Sequence, residues 1–159
     1  MKPESLNVKI FADGADRDGM LELSFEVFSD DSRDMERQAM EIANRGPNVS
    51  VKIPITNTKA EPACDLAGKL SHAGVRLNVT AIMTLEQVRN ILLKISPKTS
   101  TYISVFAGRT ADTGRDPLPL MAAAVELLKI VPSAELVWAS PRELLNVFHE
   151  DARNAGFTV

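Results

Sequence analysis

Short apolar runs alternate with amphipathic stretches along almost the whole chain, and this alternation restricts the fold more than any other feature. Six runs have the length and composition of strands: residues 8–13, 24–29, 49–56, 76–82, 102–108 and 134–140. Helix patterns separate most of them. Strands that alternate with helices are typical of βα units around a parallel sheet. The pattern predicts one α/β domain over residues 1–159.

The helix patterns are stripes of apolar residues at helical spacing, and two of them have start signals. Thr84 and Gln87 form a predicted capping box, in which each side chain bonds the other residue's backbone. Ser140 and Glu143 resemble a second one, with Pro141 at the first helical position. The stripes fall within residues 35–43, 66–73, 88–95 and 120–128.

The composition excludes several classes of protein. The 159 residues are 45% hydrophobic and 25% charged, with a net charge of −3, which is typical of a globular domain without a nucleic-acid or membrane surface. A single cysteine, Cys64, excludes an internal disulfide and fits a reducing compartment. No apolar run reaches the roughly 18 residues of a membrane span. A cytoplasmic protein is expected.

Alternation gives several predicted strands one apolar and one polar face. In residues 49–56, Val51 and Ile53 share a face with other apolar residues, whereas Lys52 lies on the opposite face. The apolar faces suit a layer of helices. The polar faces suit the interior of a (β/α)8 barrel, a fold whose active sites lie at the C-terminal ends of the strands.

Lys52 is the residue in this pattern that most needs an explanation, because taking an ammonium group out of water is costly. A partly desolvated lysine is held more readily as the neutral amine, which can attack a carbonyl. The alternative is a lysine at a strand end whose ammonium reaches solvent. Periodicity alone leaves both readings open, since it cannot say which face is which.

Four segments together resemble the transaldolase family, close to its small bacterial branch, which includes fructose-6-phosphate aldolase. They are VKIPIT around Lys52, LNVTAI at 77–82, YISVFAGRTADTG at 102–114 and WASPRE at 138–143. FADGAD at 11–16 and FEVFSDD at 25–31 are weaker matches. The resemblance implies a (β/α)8 barrel that uses Schiff-base chemistry.

The resemblance also implies roles for individual residues. Lys52 matches the lysine that condenses with the C2 ketone of a sugar phosphate, and Asp13 matches the carboxylate that takes the C4 hydroxyl proton. Glu26 and Thr80 match the residues that hold the catalytic water. The other matches bind substrate: Asn78 and Ser104 the dihydroxyacetone unit, and Arg109 the phosphate, with Ser140 and Arg142 as helpers at a predicted helix N-terminus.

Two positions bear on the type of reaction. Family members that transfer the three-carbon unit tend to carry Glu and Phe where the aldolase branch carries Gln and Tyr. This chain has Glu26 and Phe106, which favours a transaldolase that moves dihydroxyacetone from fructose 6-phosphate or sedoheptulose 7-phosphate to an aldose phosphate. A fructose-6-phosphate aldolase and a non-catalytic barrel remnant stay open as alternatives. No cofactor and no metal is expected, sugar phosphates are the expected partners, and a homo-oligomer stays open.

The chain departs from the family in its number of strands. The strand that should lie between the first and third is missing near 23/24, and the eighth is missing near 149/150. A barrel of this type has about 250 residues. Either segments of a longer chain are absent from this sequence or the deletion is real. The first explanation predicts a break in the chain at one or both places.

Overall fold

The computed structural model describes residues 22–143, 146 and 157–158 of the chain. In that part, strands and helices follow the order β1, α1, β2, α2, β3, α3, β4, α4, α5, β5, β6. The strands are β1 (Leu23–Glu26), β2 (Val49–Pro54), β3 (Leu77–Ile82), β4 (Thr101–Val105), β5 (Ala134–Trp138) and β6 (Phe157–Thr158). The helices are α1 (Ser32–Ala43), α2 (Cys64–His72), α3 (Leu85–Leu92), α4 (Ala107–Asp112) and α5 (Leu118–Leu128).

The six strands form one sheet in which all neighbours are parallel and the spatial order equals the order along the chain. A doubly wound sheet reverses its order at a switch point, whereas a TIM-type barrel keeps it. The predicted α/β class with a parallel sheet is confirmed. Within the described residues the sheet is open, with β1 and β6 at its edges, so a closed eight-stranded barrel is not observed there.

The outer face of the sheet is the apolar one and carries the helices. Five side chains of this face are fully buried: Val51, Ile53, Leu77, Ile103 and Leu136. The core therefore lies between the sheet and the helix layer. The helices α1, α2, α3 and α5 form the other side of this core, with apolar residues that belong to the predicted stripes. Burial of these side chains is the main driving force for the fold, at roughly 25 cal/mol per Å² of apolar surface.

Side-chain caps begin two of these helices. The Asp31 side chain accepts hydrogen bonds from the backbone N–H groups of Arg33 and Asp34 and so caps α1. Thr84 and Gln87 form the complete capping box of α3, as predicted. Both caps satisfy N–H groups that the first turn of a helix leaves without partners.

The inner face of the sheet is polar and concave; we use this name for Ser24, Glu26, Ser50, Lys52, Asn78, Thr80, Tyr102 and Ser104. The Asn78 amide on β3 donates to the Ser24 hydroxyl on β1, across the whole of β2. The Tyr102 hydroxyl on β4 reaches Glu22, next to β1. A flat sheet would hold β1 and β4 about 14 Å apart, with side chains perpendicular to it. These contacts therefore require a sheet that curves strongly inwards.

Several predicted boundaries are wrong. The strand predicted at 24–29 ends at Glu26, and Phe28 beyond it is 97% exposed. The strand predicted at 102–108 ends at Val105, because the chain turns directly into α4, which begins at Ala107. Alternation predicts the C-terminal end of neither strand, since a pattern of period two cannot say where pairing stops.

The second predicted capping box is also wrong. Ser140 has a φ of 59°, and residues 141–143 after it are not helical. The backbone N–H groups of Arg142 and Glu143 instead donate to the side-chain oxygen of Asn146. A helix N-terminus at Ser140 is therefore not available for binding an anion.

The two predicted breaks in the chain have different outcomes. Strand β1 runs without interruption through Leu23 and Ser24 and pairs along its length with β2, so no break is found there. The other position, 149/150, lies outside the described residues, as does the strand predicted at 8–13. None of the helices in the described part has the length and apolar character needed to cross a membrane.

We expect Thr84→Ala to lower the free energy of unfolding by about 1 kcal/mol, because it removes the acceptor for the Gln87 N–H. Thr84→Ser keeps that acceptor and is the matched control. Urea denaturation of the three proteins measures the difference. Equal stability of Thr84→Ala and Thr84→Ser would show that the capping box does not stabilise α3.

Candidate active site

Lys52 lies on the inner face in the middle of β2, where the sheet register places Glu26 on one side and Asn78 on the other. Its side chain is only 13% exposed, and its ammonium nitrogen is 3.3 Å from a carboxylate oxygen of Glu26. The Glu26 side chain is 47% exposed, so solvent reaches one partner of this ion pair. The reading of Lys52 as a residue that reaches solvent at a strand end does not fit this burial.

A chain of three hydrogen-bonding side chains lies beside Lys52. The Ser104 hydroxyl donates to the side-chain carbonyl of Asn78 over 2.7 Å, and the Asn78 amide nitrogen donates to the Ser24 hydroxyl over 3.3 Å. Asn78 and Ser104 are buried. Buried amides need such partners, because an unmade hydrogen bond costs about 1–3 kcal/mol. The predicted substrate-binding pair is thus brought together next to the lysine.

Thr80 lies two residues after Asn78 on the same face of β3. Its hydroxyl is buried and has no hydrogen-bond partner in the described part of the chain. The next residue, Ala81, has a φ of 62°, and the pairing of β3 with β4 shifts register between Val79 and Ile82. This bulge redirects the backbone next to Thr80, as bulges near active sites do.

The predicted phosphate residues follow β4 and β5, at the same C-terminal end of the sheet. Arg109 lies on α4 with its side chain exposed, and no described residue forms a hydrogen bond or ion pair with it. Arg142 donates to Asp112 of α4 over 2.7 Å, so its guanidinium already has a carboxylate partner.

Gly108 is needed where α4 approaches β5. Its N–H donates to the carbonyl of Ala139, and a Cβ at this position would overlap the carbonyl oxygen of Ser140. Only glycine permits this approach. The close contact holds the start of α4, and with it Arg109, against the loop that carries Ser140.

A second polar cluster fills the inner face at the opposite, N-terminal end of the strands. The Glu22 carboxylate accepts hydrogen bonds from the hydroxyls of Ser50 and Tyr102 and forms a 2.8 Å ion pair with Arg76. Burial, followed by the hydrogen bond to Glu22 and its negative charge, raises the pKa of Tyr102. At this end of a barrel-type sheet, such a network contributes to stability.

The remaining predicted site residues have separate outcomes. Asp13 lies outside the described residues. Phe106 is half-buried and precedes α4 directly, so it is not a strand residue. Ser24 and Asp112 carry no motif that marks them in the sequence, although Ser24 shares a face with Glu26 by alternation.

Other reactive residues have structural roles. Cys64 is buried at the start of α2, and burial raises the pKa of its thiol, which disfavours the reactive thiolate. Asp30 accepts hydrogen bonds from the backbone and hydroxyl of Thr58 and ties two loops together at the C-terminal end of the sheet. Within residues 22–143, no cluster of three or more His, Cys, Asp or Glu residues could hold a metal ion.

Comparison with known proteins shows what this chain is similar to. The sequence profile of the family described as Transaldolase/Fructose-6-phosphate aldolase matches residues 5–158. A probable transaldolase of Heliobacterium modesticaldum is 32% identical over 126 residues, which are 79% of this chain and 55% of that relative. A probable transaldolase of Thermoanaerobacter sp. is 35% identical over 126 residues, with the same two shares, 79% and 55%. The chain thus spans about half the length of the curated relatives it matches.

The raised pKa of Tyr102 can be measured directly, because this is the only tyrosine in the sequence. In the folded protein, we expect tyrosinate absorbance to develop only clearly above pH 10. In urea, which unfolds the chain, it should develop at the ordinary pKa of about 10. Because the pKa of Tyr102 is higher in the folded protein, this residue contributes its full stabilisation below the ordinary pKa. The contribution is lost as pH rises from the ordinary pKa through the folded one.

Glu22→Gln tests the cause of this shift. The variant removes the negative charge but not the burial, so the midpoint should move part of the way back towards the ordinary value. A native protein that forms tyrosinate at the same pH as the unfolded chain would contradict the buried cluster.

Proposed function

The chain belongs to the transaldolase and fructose-6-phosphate aldolase family, and from this premise we propose that it is a Schiff-base transaldolase with Lys52 as the nucleophile. It transfers a dihydroxyacetone unit from fructose 6-phosphate or sedoheptulose 7-phosphate to an aldose phosphate. The observation that carries the proposal is the largely buried Lys52 side chain on a concave polar face, with its ammonium nitrogen 3.3 Å from a carboxylate oxygen of Glu26.

The concave sheet also supports a finer fold assignment. Parallel strands in chain order with the helices packed on the outer face are the arrangement of a TIM-type barrel. The hydrogen bonds from Asn78 to Ser24 and from Tyr102 to Glu22 require curvature of the same sense. We propose that the described strands are part of such a barrel, with Lys52 in its interior.

The first half of the reaction forms and uses an imine. The neutral amine of Lys52 attacks the C2 ketone of the donor, and loss of water gives a protonated imine. A carboxylate, assigned to Asp13 by resemblance, takes the C4 hydroxyl proton as the C3–C4 bond breaks. The electron pair of that bond moves into the imine, so the product is a neutral enamine and a released aldose phosphate.

The second half reverses these steps with another aldose. The enamine carbon attacks the acceptor aldehyde, and the new hydroxyl takes the proton back. Water then hydrolyses the imine and frees Lys52. Glu26 and Thr80 are suited to holding that water: one offers a carboxylate beside the lysine, and the other a buried hydroxyl whose hydrogen-bonding capacity is unused within the described residues.

Binding of the three-carbon unit and of phosphate is assigned to separate groups. Asn78 and Ser104 supply neutral polar groups next to Lys52, as hydroxyls of dihydroxyacetone require. The exposed guanidinium of Arg109 is suited to phosphate. Ser140 and Arg142 are weaker candidates, because no helix begins at Ser140 and Arg142 is paired with Asp112.

The alternative function is a fructose-6-phosphate aldolase, which releases free dihydroxyacetone. Glu26 and Phe106 favour the transferase, because the aldolase branch tends to carry Gln and Tyr at these positions. The two reactions share the imine and the enamine. They differ in whether water protonates the enamine before an acceptor arrives.

We expect borohydride to trap an adduct on Lys52 when it is added together with fructose 6-phosphate, because it reduces the imine to a stable amine. Lys52→Arg keeps a positive charge beside Glu26 but cannot form this imine, so it should yield no adduct at this position. Turnover should fall by at least about 10³-fold. Peptide mapping by mass spectrometry and a coupled assay measure the two effects.

Lys69→Arg is the matched control, since Lys69 is exposed and pairs with Glu36 on the protein surface. It should trap the adduct and turn over normally. An adduct on another lysine, such as Lys9, or full activity in Lys52→Arg would overturn the assignment.

Turnover of fructose 6-phosphate should depend on an aldose acceptor such as erythrose 4-phosphate. The double variant Glu26→Gln/Phe106→Tyr should release more dihydroxyacetone without an acceptor than the wild-type protein does, with the two single variants in between. Rapid release by the wild-type protein without any acceptor would favour the aldolase.

A further inference from the structure

Ser24 is a polar residue of the inner face to which the proposed reaction assigns no role. It lies on β1, two residues before Glu26 and on the same face. Its hydroxyl accepts a 3.3 Å hydrogen bond from the amide nitrogen of Asn78, which is two strands away. The neighbouring serine on this face has another partner: Ser50, directly opposite Ser24 in the register, donates to Glu22.

The contact matters because of how many hydrogen bonds an asparagine amide can form. The amide has two N–H donors and two acceptor positions on its carbonyl oxygen. Ser104 binds the carbonyl and Ser24 binds the nitrogen, so one donor and one acceptor position remain. A side-chain amide held at both ends cannot rotate freely about its terminal torsion, which is otherwise broad.

The two hydroxyls determine the plane of the amide. Each serine can donate or accept, so the pair holds this plane whichever way the amide nitrogen and oxygen are placed. Ser104 alone would leave the other end of the amide free to turn. With Ser24 in place, the remaining donor and acceptor of Asn78 have defined directions beside Lys52, which is next to Asn78 in the register.

We propose that Ser24 is a positioning residue for the reaction at Lys52, acting through the orientation of the Asn78 amide. This inference rests on the proposed function, because Asn78 is the group that would bind the three-carbon unit. Misplacement of such a group by about 1 Å can lower a rate by as much as about 10²-fold. Ser24 itself need not touch the substrate.

The test is a double-mutant cycle in the full chain, with kcat/KM for fructose 6-phosphate as the measured quantity. Ser24→Ala should lower kcat/KM by about 10- to 100-fold. In an Asn78→Ala background the same change should have an effect of about twofold or less, because the group through which Ser24 acts is gone. Ser24→Thr keeps the hydroxyl and should recover most of the lost activity.

Ser50→Ala is the matched control, because it makes the same chemical change on the same face, next to Ser24, in a serine that does not contact Asn78. It should change kcat/KM by the same factor with and without Asn78. Thermal unfolding of each variant shows whether a loss of activity is only a loss of folded protein.

A measurement without substrate tests the contact independently. The side-chain amide signals of Asn78 in a ¹⁵N–¹H spectrum are identified by their loss in Asn78→Ala. In Ser24→Ala they should shift and exchange faster with water, whereas Ser50→Ala should leave them in place. Unchanged signals in Ser24→Ala, or a Ser24→Ala effect that is equally large with and without Asn78, would overturn the proposal.

The same experiments separate this proposal from the proposed function. If borohydride traps no adduct on Lys52 in the wild-type protein, the Schiff-base function and the catalytic role of Ser24 both fail. If the adduct forms normally and Ser24→Ala leaves kcat/KM unchanged, only the role of Ser24 fails.

Discussion

The inner face of this sheet is organised around Lys52, a charged side chain that is only 13% exposed. Such a charge is costly to enclose unless an opposite charge and hydrogen-bonding groups surround it. The sheet provides both, because parallel pairing in register places Glu26 on one side of Lys52 and Asn78 on the other. Curvature then brings in side chains from strands that are not direct neighbours. A flat sheet with the same sequence would leave the lysine more exposed to solvent.

The inner face is divided along the strands into two polar layers with different roles. At the N-terminal end, the Glu22 carboxylate binds Ser50, Tyr102 and Arg76, and a network of this kind holds strands together, although the buried Arg76 Nε has no partner in the described residues. At the other end, the Thr80 hydroxyl has no partner in the described residues and Glu26 is half-exposed. An unpartnered hydroxyl on the same face as a carboxylate that solvent reaches can bind a water molecule or a substrate. The division therefore agrees with an active site at the C-terminal ends of the strands.

The sequence predicted those features that depend on periodicity and local signals. Alternation identified the faces of β2, β3 and β4, and Thr84 with Gln87 marked the start of α3. Alternation alone could not predict the inward position of Lys52, because it separates two faces but does not say which one is enclosed. The hydrogen bond from Asn78 to Ser24 was beyond sequence reasoning, since it depends on the curvature of the sheet.

The failed predictions have a common physical cause in the backbone. The start of helix α4 was missed because Ala107 and Gly108 were placed in the strand predicted at 102–108, whereas the glycine allows close contact with Ser140. The predicted helix start at Ser140 failed because this residue adopts a positive φ. A capping box requires an extended backbone at its first residue, and the sequence pattern carries no information on that angle.

Two non-glycine residues with positive φ lie at the C-terminal ends of strands beside the proposed active site: Ala81 is the penultimate residue of β3, and Ser140 lies two residues after β5. Each such conformation costs on the order of 1–2 kcal/mol for a residue with a Cβ atom. It persists only where the surrounding structure holds it, and here each residue lies two positions after a fully buried residue of the outer face, Val79 in β3 and Trp138 in β5. The bulge at Ala81 redirects the chain next to Thr80, and the turn at Ser140 lets α4 and Arg109 approach β5. The apolar core of the sheet thus supports the backbone strain that positions the groups proposed to bind water and phosphate.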